Sequence, residues 1–459
     1  MILKNLYAYA DLFSEYTELR VQENRSIRIS MVKGNIVENS RTSTSGVSAR
    51  VYKEGVWGFA SHPNISDETI RAVMKSAADN ALFLHSREKR KAGKLQAATA
   101  MADHDFTTRK KRISQREMLV FMREIDNYII GRCSRVKARS ITLSCLDMEK
   151  SLITSDVSTA YSMIPRALLS ILLSTERDGE PVELFEVHGG FGQFEDVFLS
   201  PDQLYGKVDR QYDHLLKKAE GVYPRAGLAD CILDADLAGI LAHEAIGHTT
   251  EADLVLGGSI ASEYLNEQIA DPLITLVDFA HSALDERCPV PVYIDDEGTK
   301  AEDALIIEEG ILREFLHNKE TANHFGVIPK GNARAFQFSD EPLIRMRNTA
   351  ILPGRSKLED MIASIDDGYY LMKASNGQAD STSEFMFGII LGYEIKKGKI
   401  GRALRDTTIS GVAFDVLKTV RMVSDQMVWS NSGMCGKKQL IPVGLGGPAI
   451  QCVLHIGGK

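Results

Sequence analysis

Cysteine is scarce in this chain. There are six in 459 residues (133, 145, 231, 288, 435 and 452), and none forms a CxxC pair. That pattern argues against a disulfide scaffold and suits a reducing, cytoplasmic setting. No run of ~18 apolar residues occurs, so no membrane-spanning helix is expected. The opening MILKNLYAYADLF has no basic stretch leading into a long apolar one, so no signal peptide is expected. Low-complexity tracts and short internal repeats are missing as well. So is any excess of positive charge: the formal net charge is −8, which argues against broad non-specific nucleic-acid binding. One basic stretch, 86–112, contains SREKRKAGK and RKKR and reads as a solvated loop and helix end.

What is present is ordinary for a globular protein, with 44% hydrophobic and 25% charged residues. The length allows two or three domains with ample core. Residues 18–33 and 46–60 alternate apolar and polar around a turn signal at Lys33-Gly34-Asn35. A helix is expected from about Ser66, with Ile70, Val73, Met74, Ala77 and Ala81 on its apolar face. A capping box from Ser114 to Glu117 opens a second. Segments 139–149, 158–176 and 181–188 read as an antiparallel meander. A third helix opens at Ser200-Pro201 and closes near Gly221. GVYPRAG (221–227) breaks regular structure, so the boundary is placed there: an N-terminal domain over 1–225 and a C-terminal domain over 226–459. The second half begins with a short buried strand at Cys231-Ile232-Leu233. Asp234 or Asp236 then caps a helix. Beyond about 270 the chain looks mainly β, with hairpin turns at Glu309-Gly310 and Lys397-Gly398. GLGG at 444–447 reads as a turn, since no Lys-Ser/Thr follows it. The expected class is α+β: an α/β-type first domain with an antiparallel sheet and helices, then a mainly β domain carrying the helix described next.

That helix bears HEAIGH, residues 243–248. Two imidazoles beside a carboxylate are the minimum for a zinc site that activates water. Zinc-protease helices place their histidines at i and i+4, on one face. Here they stand at i and i+5, which on a regular helix turns His248 roughly 140° away from His243. Either the motif is accidental, or the helix is locally widened or ends between them. A one-turn π-bulge would bring the two together, and Gly247 is a residue that tolerates such a distortion. A catalytic zinc needs a third protein ligand. Glu251, Asp253 and Cys435 are candidates, and the spacing does not rank Glu251 against Cys435. Cys452 is weaker, because AIQCVLHI looks like a buried strand. Glu244 stands beside a ligand and is free to act as general base. The plainer alternatives are satisfied helix histidines and a structural cysteine.

The chain resembles the TldD/PmbA family, long labelled modulators of DNA gyrase. The resemblance rests on HEAIGHTTEAD (243–253), DDEGTKAEDALIIEEGILREFL (295–316), GNAR (331–334), RMRNTAILPG (345–354), NGQADSTS (376–383) and CGKKQLIPVGLGGP (435–448), all in order. The N-terminal RVQENRSIRISMVKGNIVENSRTSTSGVSARVY is similar too. The resemblance implies a metallopeptidase with one zinc per chain, held by His243, His248 and Cys435, with Glu244 as catalytic base. Glu251 and Asp253 then stand behind the ligands. It further implies the TldD-type subunit, a homodimer or a heterodimer with a TldE/PmbA-like partner, and unfolded or flexible peptides as substrates. Extended peptides would bind by adding a strand to a sheet edge. The competing reading is a non-catalytic adaptor acting on gyrase or on a toxin–antitoxin pair.

Overall fold

The computed structural model describes residues 4–13, 15–88 and 94–458. Lys33 and Gly34 take positive φ values of 49° and 82° and turn the chain back between two long strands, β1 (Tyr16–Val32) and β2 (Asn35–Lys53). Together with β3 (Val56–His62), β4 (Met101–Asp105), β5 (Ala138–Thr154), β6 (Thr159–Arg177) and β7 (Glu180–Phe191) they form one seven-stranded sheet, ordered β3-β2-β1-β5-β6-β4. β5, β6 and β7 make the expected antiparallel meander. β7 shares the free edge of β6 with β4, which runs parallel to it.

β4 corrects the reading of 86–112 as loop and helix end. Met101–Asp105 extends beside Thr159–Met163 because the edge of β6 left open by β7 supplies ladder partners. Within that stretch, residues 89–93 lie outside the described residues.

The helices lie where the apolar periodicity places them. α1 (Asp67–Glu88) buries Ile70, Val73, Met74, Ala77 and Ala81, and α2 (Gln115–Arg132) opens with the Ser114–Glu117 capping box. After a short α3 (Phe194–Val197) and a 3-10 turn at Pro201–Leu204, α4 runs from Tyr205 to Ala219. Odd-numbered residues of β1 (Leu19, Val21, Ile29, Met31) join the two cores beneath these helices. Its even-numbered residues Glu18, Arg20, Gln22 and Asn24 are also buried, although polar. They face the 295–341 segment: Gln22 and Asn24 donate to the Phe336 carbonyl at 2.6 and 2.7 Å, and Arg20 donates to that of Asp340 at 2.6 Å. The alternation of β1 therefore separates an apolar core from a buried polar seam, not from water.

Among the described residues, most of the remaining strands build two further large sheets, and the others form three two-stranded pairings. In one, β8 (Gly227–Leu233) lies between the strands Asp367–Ala379 and Ile450–Ile456, and pairing of 367–379 with 384–396 closes a ring that also includes Thr407–Val412. The other contains β9 (Leu276–Phe279), flanked by Ala304–Glu308 and Asn348–Ile351 and extended by Gly444–Gly447. Between these two sheets runs α5 (Ala235–Leu241), capped by the Asp234 carboxylate, which accepts from the Ala235 N–H at 2.9 Å. Both expected hairpins occur, with Glu309 and Lys397 at positive φ.

GLGG is a strand and not the turn expected of it. Its glycines serve close approach. A Cβ on Gly446 would sit 2.5 Å from the Trp429 ring, and one on Gly239 of α5 would sit 2.9 Å from the Gly446 nitrogen. Helix and strand thus touch backbone to backbone. Gly239→Ala is expected to lower stability by about 1–3 kcal/mol through overpacking. Urea denaturation measures it, and an unchanged midpoint would mean that the contact is loose.

Candidate metal centre

Directly after α5 the helix widens. Ala242–Gly247 form a π-helical turn, in which the His248 N–H donates to the His243 carbonyl, five residues back. A 3-10 turn at His248–Thr250 ends the element. The wide turn adds a residue per turn and cancels the rotation that separates i from i+5 on a regular helix. The His243 and His248 rings come to 5.1 Å between centroids, at 80° to one another. Gly247 belongs to the device, since a Cβ there would lie 1.9 Å from the Met346 sulfur.

Cys435 reaches the pair from the far end of the chain. It sits in a short antiparallel pairing of Met434–Cys435 with Ile441–Pro442. Arg345, fully buried, donates to the carbonyls of Cys435 at 2.6 Å, of Gln439 at 3.0 Å and of Lys437. The Cys435 Sγ lies 3.2 Å from His248 Nε2. The potential ligand atoms of His243, His248 and Cys435 all lie within 4.8 Å of one another. Both ring nitrogens of His243 are buried and lack a hydrogen-bond partner among the described residues. Such orphaned nitrogens are costly unless something binds them. Two imidazoles and a thiolate are a donor set that zinc accepts, so the residues present fit the ion.

Around this group the charges are ordered. Glu251, fully buried, accepts from His248 Nδ1 at 3.1 Å and pairs with Lys437 Nζ at 2.8 Å. Asp253 pairs with the same ammonium at 2.7 Å. Glu251 therefore grips the rear of His248 and leaves Nε2 facing Cys435, the arrangement by which carboxylates fix a ligating imidazole. Asp253 acts one step further back, through Lys437. Glu244 is partly exposed, with its carboxylate 3.7 Å from His248 Nε2.

Burial alone would raise the Cys435 thiol, but the adjoining His243 and His248 imidazoles outweigh it and bring it down to about 4. Burial would likewise lower His248. Glu251 and Cys435 oppose that and raise it to about 10. Burial works to raise Glu251, and His248 and Lys437 hold it below its ordinary value. The other cysteines go the opposite way: burial pushes Cys133 up to about 11 and Cys145, Cys288 and Cys452 up to about 12. Cys452 lies opposite Cys231 in the β8 pairing, outside the metal group.

Residues 226–453 match the PmbA/TldA metallopeptidase C-terminal domain, and residues 17–81 match PmbA/TldA metallopeptidase domain 1. The chain belongs to this family. It is 30% identical to the zinc metalloprotease TldD homolog of Saccharolobus solfataricus, over 90% of each chain. Its fold matches that of a Thermotoga maritima protein named for a proposed modulation of DNA gyrase, with a TM-score of 0.80, 18% identity and 98% of each chain covered. TldE from Thermococcus kodakarensis matches with a TM-score of 0.75, 18% identity and 99% of each chain covered. The TldD/PmbA resemblance of the sequence is thus the family of the chain.

The sequence marked His243, Glu244, His248, Glu251, Asp253 and Cys435, and the structure gathers all six into one neighbourhood. It did not mark Lys437, Arg345 or Met346. All three lie inside the motifs CGKKQ and RMRN, but nothing in their spacing indicates which carbonyl, carboxylate or glycine each meets.

The two opposite shifts set a pH window for the metal-free protein. The Cys435 contribution is fully present above the thiol's ordinary value of 9 and is lost as pH falls through about 4. That of His248 is fully present below its ordinary 6.5 and is lost as pH rises through about 10. Chelator-treated protein is therefore expected to melt highest between about pH 6.5 and 9. Cys435→Ser should flatten the acid side of that curve. Superimposable curves for the two proteins would contradict the ion pairing.

Proposed function

We propose that the chain is a zinc peptidase in which His243, His248 and Cys435 hold one zinc ion and Glu244 is the general base. The observation that carries this reading is the meeting of a thiol held low with two imidazoles across 187 residues of sequence, beside a partly exposed carboxylate. A zinc ion bound there supplies a Lewis acid that polarises a peptide carbonyl and brings the pKa of water towards ~7.

The chain's own residues do the rest. Glu251 accepts a hydrogen bond from the His248 Nδ1–H and so keeps that proton on the ring nitrogen, which leaves Nε2 as the atom that would hold the ion once its own proton is lost. Lys437 pairs with both Glu251 and Asp253 and offsets one of their two negative charges. Glu244 takes a proton from the attacking water and returns it to the leaving amine. An unfolded or flexible peptide supplies an extended backbone that can pair with a strand edge, which suits low sequence specificity.

The match to TldE supports a TldE-like subunit as partner, with a homodimer as the alternative arrangement. The family match beginning at residue 226 agrees with a division into 1–225 and 226–459. The six free cysteines suit a reducing cytoplasm.

Glu244→Gln is expected to retain about one zinc per chain and to lose peptide hydrolysis by roughly 10²–10⁴-fold, the usual worth of a general base. Elemental analysis and turnover of an unfolded peptide are measured on the same preparation. Full activity in a zinc-loaded variant would remove Glu244 from the mechanism and favour a non-catalytic adaptor.

A further inference from the structure

The Cys435 segment is held from a second side, by the N-terminal sheet. Arg166 stands on β6, and its neighbour Ala167 pairs with Gly190 of β7. The Arg166 side chain is buried. Its Nη1 and Nη2 both lie 3.3 Å from the Gly433 carbonyl, Nη2 also donates to the Asn431 carbonyl, and Nη1 lies 3.6 Å from the Met434 sulfur. Among the described residues no carboxylate lies within salt-bridge distance of it. A buried guanidinium needs acceptors for its donors, and all of those found here belong to residues 431–434.

The second observation lies on the adjacent strand. Gly190 has φ +155°, and a Cβ there would sit 2.9 Å from Asn431 Cγ. The end of the first sheet is thus fitted against Asn431, four residues before the thiol, by both a forked donor and a missing side chain.

We infer that Arg166 is a positioning residue for Cys435: by fixing the Asn431 and Gly433 carbonyls it sets where the thiol stands relative to His243 and His248. The inference rests on the zinc reading above. It makes the N-terminal sheet part of the metal site, although none of its residues belongs to the His243, His248 and Cys435 group. Arginine suits the task because its planar fork spans two carbonyls, which a single ammonium does not.

Cobalt substituted for zinc tests this, because its sulfur-to-metal charge-transfer band reports cysteine ligation separately from histidine ligation and from activity. Wild type should show the band. Folded Arg166→Met should lose most of it and bind zinc about 10- to 100-fold more weakly, the usual effect of removing a group that orients a ligand. Arg166→Lys should recover part of both, and Gly190→Ala should shift both in the same direction as Arg166→Met. A folded Arg166→Met with the wild-type band and zinc affinity would overturn the inference and leave the zinc reading intact. If Arg166→Met does not fold, Arg166→Lys and Gly190→Ala decide by the same criterion. A wild type that binds neither metal would overturn both.

Discussion

A helix cannot present residues i and i+5 on one face unless one of its turns is wide. The whole site depends on that constraint. The π turn at Ala242–Gly247 brings His248 round to His243, and it holds only because its surroundings accommodate it. Gly247 leaves room for the Met346 sulfur, and the helix lies against the bare backbone of Gly446. Wide turns are intrinsically unfavourable and cluster at functional sites for that reason. Here the packing of two sheets around α5 overdetermines the distortion.

The same logic extends to the third residue. Cys435 lies in a two-residue strand pairing, too short to be rigid by itself. Buried arginines supply the rigidity by hydrogen-bonding main-chain carbonyls: Arg345 takes Cys435, Lys437 and Gln439, and Arg334 takes Met346 and Pro442. Burying a guanidinium is expensive, and hydrogen bonds to a charged donor return about 1.5–3 kcal/mol each. The arrangement is therefore weak as a source of net stability and strong as a source of geometry. Lys437 links the two supports, since it follows Cys435 by two residues and neutralises the carboxylate that orients His248.

Much of this was legible in the sequence, for identifiable reasons. α1 and α2 carry clean 3.6-residue periodicity and strong caps, and the i, i+5 spacing of His243 and His248 meant that a shared metal required a helix widened or ended between them. Where the reading failed, the deciding partner lay far away in the chain. β4 is a strand only because β6 offers it an edge, and GLGG extends only because Trp429 and Gly239 press against it. The even positions of β1 read only as the polar half of an alternation, and nothing local shows that residues 295–341 cover them. Cys435 stood level with Glu251 on spacing, and the 187 residues separating it from His248 carry no local signal that the two meet.

The most direct test of a two-imidazole, one-thiolate centre is X-ray absorption at the zinc edge of the loaded protein. The proposed site predicts one sulfur scatterer at about 2.3 Å and two imidazole nitrogens at about 2.0–2.1 Å. A shell of nitrogen and oxygen alone would contradict it. Cys435 would then be a bystander, and a carboxylate such as Glu251 would have to leave His248 to reach the ion.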